Sequence, residues 1–184
     1  MDDFMKNIFF FWDKDIPEVY KKHISEMQQK WSDYRVHLID DDFILDYYTK
    51  HDCEFRDIYK KISLGAAKAD LVRLLLMYNY GGLFMDIMNY PKEHFIDMGS
   101  LFTNLKNKTT YVGSWEPENI SFQVILSKPK SDLMLKLYEL CKNNLLCQYD
   151  EEINKNNKKG YNLVSLTGPI FYSCRQGKIS RILF

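Results

Sequence analysis

Asp86 closes a short apolar run, Leu83-Phe84-Met85, that follows the pair Gly81-Gly82. A carboxylate in that position can accept hydrogen bonds from hydroxyls or share a hard cation. Two places on stands Met88, which carries no charge. A thioether is a poor ligand for Mg2+ or Mn2+. Asn89 offers a neutral carbonyl oxygen, but neighbouring strand residues face opposite ways, so it joins Asp86 only where the backbone kinks. Upstream, Asp70 and Arg73 are three apart, share one helix face and can pair. Charges in an apolar helix must be paired or bind something, because bare burial costs several kcal/mol. An arginine so presented can also grip sugar or phosphate oxygens in a fork. On spacing alone, an ion pair that only fixes the helix explains both residues as well. Trp12 ends the aromatic run "NIFFFW"; it is either a core tryptophan or a flat face on which a planar ring stacks.

These groups need elements to hold them. Residues 7–12 are dense in aromatic and β-branched side chains and read as a buried strand. Pro17 in a first turn, with acids beside it, opens a helix to about residue 31, with Val19, His23, Met27 and Trp31 on its inward stripe. Residues 34–39 alternate as a second strand, and Asp40-Asp41-Asp42 start a helix to about residue 50 as caps rather than as a metal site. The clearest helix covers residues 64–80 and stops at the double glycine. Residues 83–85, 110–115 and 121–126 read as strands, and 131–146 as an amphipathic helix with Leu133, Leu137, Leu140 and Leu145 inward. The polar run "DEEINKNNKKG" after it reads as a solvated loop. Alternating strands and helices predict an α/β layered fold with a mostly parallel sheet. Ligands of such sheets sit at the carboxyl ends of the strands, where Trp12 and Asp86 both fall.

Composition narrows the partners. The 184 residues carry 25 basic and 25 acidic side chains, with 46% hydrophobic and 15% aromatic residues. A core can form, and the charge balance gives no case for nucleic acid. No apolar run is long enough for a transmembrane segment, and the first residues lack the pattern of a signal peptide. Cys53, Cys141, Cys147 and Cys174 have no paired metal spacing and read as reduced thiols of a cytoplasmic protein. The scattered His23, His37, His51 and His94 support no nucleophile triad, and Gly81-Gly82 precede a strand rather than a phosphate-binding helix.

The run "AAKADLVRLLLMYNYGGLFMDI" resembles the signature of nucleotide-sugar-dependent glycosyltransferases of the GT-A type. It is similar to glycosyltransferase family 32: initiating α-mannosyltransferases, capsular polysaccharide synthesis proteins and, more distantly, the clostridial glucosylating toxins. The upstream "FFW", Pro17, Trp31 and "YRVHLIDDD", and the downstream "LTGPIFYS", extend the likeness over most of the chain. The resemblance implies one GT-A-like, Rossmann-like three-layer domain over residues 1–184. It implies transfer of a sugar from a UDP- or GDP-sugar to a glycan, lipid-linked glycan or protein acceptor, with retention of configuration, as in polysaccharide biosynthesis. Trp12 would stack on the base, Asp70 would accept hydrogen bonds from sugar hydroxyls, and Arg73 would hold the sugar or phosphate side. Asp86 would lie near the ribose and a divalent metal, Mn2+ or Mg2+.

Two departures qualify the likeness. Met88 stands where the family has the second acid, which predicts a weakened metal site. The chain also ends 15 residues after Pro169, at Phe184, without the further acid or histidine that relatives supply. Arg175, Lys178 and Arg181 in that tail are cations for a diphosphate or simply a solvated surface. Glu116 and Glu118 fall in a loop on the acceptor side, and no residue is identified as a catalytic nucleophile. Two other readings follow: a non-catalytic relative serving as a nucleotide- or glycan-binding or interaction module, and a chain truncated at its C-terminal end.

Overall fold

The computed structural model describes residues 3–88, 110–113 and 123–156. A short 3-10 turn, Asp3–Lys6, leads into β1 (Asn7–Phe11), α1 (Glu18–Lys30) and β2 (Arg35–Ile39). Three helices follow, α2 (Asp41–His51), α3 (Cys53–Lys61) and α4 (Gly65–Tyr80), and then β3 (Gly82–Met85). The remaining elements are β4 (Thr110–Gly113), β5 (Val124–Ser127) and α5 (Asp132–Asn156).

The strands form one sheet in the order β2-β1-β3-β5-β4. β1 pairs in parallel with both β2 and β3, β5 is antiparallel to β3, and β4 is antiparallel to β5. Four strands therefore share one direction and β5 alone is reversed. The sheet is mostly parallel, as the alternation of elements predicts.

Alternation along the strands builds a core on each face. Ile8, Phe10, Leu83, Met85 and Ile87 meet Ile24, Met27 and Trp31 of the α1 layer. Phe9, Phe11 and Phe84 meet Tyr48, Tyr59, Leu71, Leu74 and Leu137 of the helices on the other side. Both faces of β1 and β3 are covered, which is why their sequences are almost continuously apolar. Burying each such side chain contributes about 1.5–3 kcal/mol.

The junction between α4 and β3 needs both of its glycines. Gly81 and Gly82 have φ of 63° and 99°, a region that side chains with a Cβ rarely adopt. A Cβ on Gly81 would fall 2.5 Å from Pro129 Cδ, and one on Gly82 would fall 2.5 Å from the Asn7 carbonyl oxygen. The chain can turn from α4 into β3 at this depth only without side chains.

Three local expectations are corrected. Val19 is 54% exposed, while Met27 and Trp31 do face inward, joined by Ile24. The helix α3 is an addition; Asp52 caps it by accepting from the Phe55 amide at 3.2 Å. Finally, α5 runs on to Asn156 through part of the polar segment read as a loop; Glu and Lys are good helix formers. Among the described residues, Cys53, Cys141 and Cys147 are free thiols, and no helix is long and apolar enough to cross a membrane.

Candidate functional site

Parallel strands bring their carboxyl ends to one edge. The chain leaves β1 through Trp12 and Asp13, β2 through Asp40 and Asp41, and β3 through Asp86. The first half of α4 lies over that edge, so its charged residues meet the strand ends.

Arg73 is the centre of the arrangement. One terminal nitrogen lies 2.9 Å from Asp86 Oδ1 and 3.4 Å from Asp70 Oδ1. Its Nε donates to the Ala69 carbonyl at 3.1 Å, and its guanidinium lies over the Phe84 ring, 5.2 Å from the centroid. The guanidinium is thus held by the backbone, by an aromatic face and by two acids. Asp70 and Arg73 are buried, while the Asp86 side chain keeps 28% of its surface open. Burial raises the Asp86 carboxyl above its ordinary range, and the nearby Arg73 offsets only part of that. The Asp86 amide donates to the Gln123 carbonyl at 2.8 Å, which ties the end of β3 to the residue before the reversed strand β5. Two carboxylates around one cation leave fixed acceptors for hydrogen-bond donors.

A second charged group lies toward β1 and β2. The buried Lys68 donates to Asp41 and sits over the Tyr59 ring, 5.2 Å from its centroid. The Tyr59 hydroxyl donates to the other Asp41 oxygen at 2.7 Å. Burial first, and then this bond to Asp41, push the Tyr59 phenol well up. Asp40 caps α2 by accepting from the Phe43 amide at 2.9 Å. The Asp13 carboxylate packs against the start of α4, where a Cβ on Gly65 would come within 2.9 Å of it. The ends of β1 and β2 are therefore fastened to the first turns of α4. Lys68 is visible in the sequence as another charge in an apolar helix, but its partner Asp41 is hidden in a run of three acids that reads as a cap.

Trp12 sits on the α1 side of the same edge. Its amide donates to the Ile39 carbonyl at 3.0 Å, and its ring lies 5.1 Å from Tyr20 at a tilt of 43°. The Tyr20 hydroxyl in turn rests against the Met88 thioether. The structure brings Asp70, Arg73 and Asp86 together and packs Trp12 with the other layer. Asn89, Glu116, Glu118, the Thr167-Gly168-Pro169 segment, Arg175, Lys178 and Arg181 lie outside the described residues.

A D-x-D acid pair generally binds a divalent metal. Here Asp86 is engaged with Arg73, and residue 88 is a methionine 68% exposed on the Tyr20 side. Among the described residues no group of three or more His, Cys, Asp or Glu side chains could hold a metal ion. The described residues supply one motif carboxylate here, already paired with Arg73, which is too few donors for a hard divalent cation.

Residues 17–100 match the family described as a glycosyltransferase sugar-binding region containing the DXD motif. Among the solved structures, the chain is similar to a protein described as "PaToxG Glycosyltransferase", with a TM-score of 0.56 and 17% identity. The similarity covers 91% of this chain and 66% of that one. At this identity the likeness speaks to the fold, which is α/β of GT-A type. Among curated proteins, none matches.

Proposed function

We propose that this chain binds a nucleotide-sugar donor and transfers its sugar to a glycan or related acceptor. The observation that carries the reading is the fixed group Asp70–Arg73–Asp86 at the carboxyl edge of the sheet, 2.9 and 3.4 Å apart. The matched sugar-binding region includes all three residues. Sugar hydroxyls are donors as well as acceptors, and two carboxylates locked by a guanidinium present lone pairs in fixed directions. Bonds between a charged acceptor and a hydroxyl are among the stronger ones. Asp70 and Asp86 therefore hold the sugar, and Arg73 orients them. Trp12, with Tyr20 behind it, offers a planar face for the base on the α1 side of the edge.

Transfer itself needs the glycosidic carbon exposed to the acceptor while the diphosphate departs through an oxocarbenium-like transition state. Negative acids beside that carbon stabilise the developing positive charge. Retention of configuration and the UDP or GDP identity of the donor come from the family likeness. A polysaccharide, lipid-linked or protein acceptor belongs to the same reading.

The test is calorimetric titration of UDP- and GDP-sugars, followed by assay of donor hydrolysis. Asp70→Asn is expected to lose donor binding with little change in melting temperature, because Arg73 keeps Asp86. Asp86→Asn is expected to abolish turnover. Failure of every UDP- and GDP-sugar to bind would sink the proposal. Binding without any turnover favours the second reading, a non-catalytic nucleotide- or glycan-binding module, which the methionine at position 88 also supports.

A further inference from the structure

We infer that the donor site works without a resident divalent cation at the end of β3, and that residue 88 is the side chain that sets this. The inference rests on the sugar-transfer reading for its meaning, but its test does not. Three observations lead to it. First, Asp86 already has a permanent cation, the Arg73 guanidinium at 2.9 Å. That guanidinium cannot step aside, because Ala69, Phe84 and Asp70 hold it as well. A metal would have to share Asp86 with a fixed positive charge a few ångströms away, and like charges at that separation repel. Second, Ile87 is buried in the α1-side core, so the residue between the two motif positions adds no ligand. Third, the side chain at position 88 reaches the Tyr20 hydroxyl rather than Asp86. It supplies a soft sulfur where a hard cation requires oxygen.

The Met88 side chain lies against the Tyr20 hydroxyl, on the side of Trp12. Trp12, Tyr20 and Met88 form a continuous strip of aromatic and thioether surface at the edge. The Tyr20 hydroxyl donates to the thioether, a weak acceptor. A carboxylate in the same place would face a phenol hydroxyl and solvent, and could turn toward Asp86 from an exposed position.

Binding of Mn2+ to the full chain, followed by loss of the free-ion paramagnetic signal, tests the inference without any donor. It is measured with Mn2+ alone and with Mn2+ plus UDP or GDP, against nucleotide-only controls. The wild-type chain is expected to bind no Mn2+ beyond the control. Met88→Asp is expected to bind it at least about tenfold more tightly, the scale of changing a metal's ligand environment. Met88→Leu is expected to behave as wild type, which separates a missing carboxylate from a special role of sulfur. Wild-type binding of Mn2+ that Asp86→Asn abolishes would overturn the inference. So would a folded Met88→Asp chain that binds no better than wild type. Titrations of UDP and GDP in EDTA and in Mn2+ add the link to function. Wild-type affinity is expected to agree between the two conditions. If neither nucleotide binds in either condition, the sugar-transfer proposal fails, while Mn2+ binding alone still decides the role of residue 88.

Discussion

Arg73→Met offers the sharpest test of how the site is held. The substitution keeps an unbranched apolar stem and removes the guanidinium and its charge. Two acids lose the Arg73 guanidinium at once: Asp70, whose side chain is 8% exposed, and Asp86, at 28%. Removing one member of a buried pair costs about 3–5 kcal/mol, because a charge is left in a poor solvent. Asp86 regains part of its hydration through its open surface and Asp70 does not, so about 4 kcal/mol is expected. That is a large share of a domain stability of about 5–15 kcal/mol. Asp86→Asn alone leaves Arg73 on Asp70 and keeps a carbonyl acceptor, so it should cost about 1 kcal/mol. In the double variant one orphaned acid is gone, and about 1–2 kcal/mol of the Arg73→Met loss should return. Urea denaturation at constant pH measures all three. An Arg73→Met chain within about 1 kcal/mol of wild type, or a double variant no more stable than Arg73→Met, would refute the account of a guanidinium shared by a buried and a half-buried acid.

The remaining predictions concern the scaffold. Gly81→Ala should destabilise the chain by more than about 2 kcal/mol, since it combines strained backbone with a Cβ driven into Pro129, and a urea midpoint will read it. Lys68→Met strands Asp41 but leaves it the Tyr59 hydroxyl, so about 1–3 kcal/mol should be lost, with most of it absent in Lys68→Met combined with Asp41→Asn. His37 stacks on Phe9 with centroids 4.9 Å apart, and burial first and Arg35 second lower its pKa below 6.5. The unfolded chain then binds more protons in the window below 6.5, so stability is full above that value and is lost as pH falls from it through the lower folded value. His37→Phe should flatten the denaturation midpoint measured across that range.

Much of the frame is legible in the sequence because each signal is local. The aromatic run at residues 7–11, the glycine pair after α4 and the acid cap on α2 each have one physical solution, and the structure adopts it. The Asp70–Arg73 pair follows from helical spacing, and the pair exists. Its closure by Asp86 is not local: it depends on how α4 lies across the sheet, which no spacing reports. Lys68 and Asp41 meet across 27 positions for the same reason. Val19 misleads because an apolar residue in the first turn of a helix need not face inward. Helix α3 escapes because its apolar residues, Phe55, Ile58 and Tyr59, are few and stand among charged neighbours.

The helix α4 is gripped at both ends. At its start Lys68 is fastened to Asp41, and Asp13 abuts Gly65. Near its finish the Lys130 amide donates to the Tyr78 carbonyl at 2.7 Å, and the Lys130 ammonium donates to Asn79 at 3.0 Å. A slide of one residue would carry Arg73 only about 1.5 Å along the axis but swing it through about 100°, away from Asp86, while Asp70 travels with it on the same helix. The two anchors forbid that screw motion. A piston stroke of helix α4 would therefore break contacts at both of its ends.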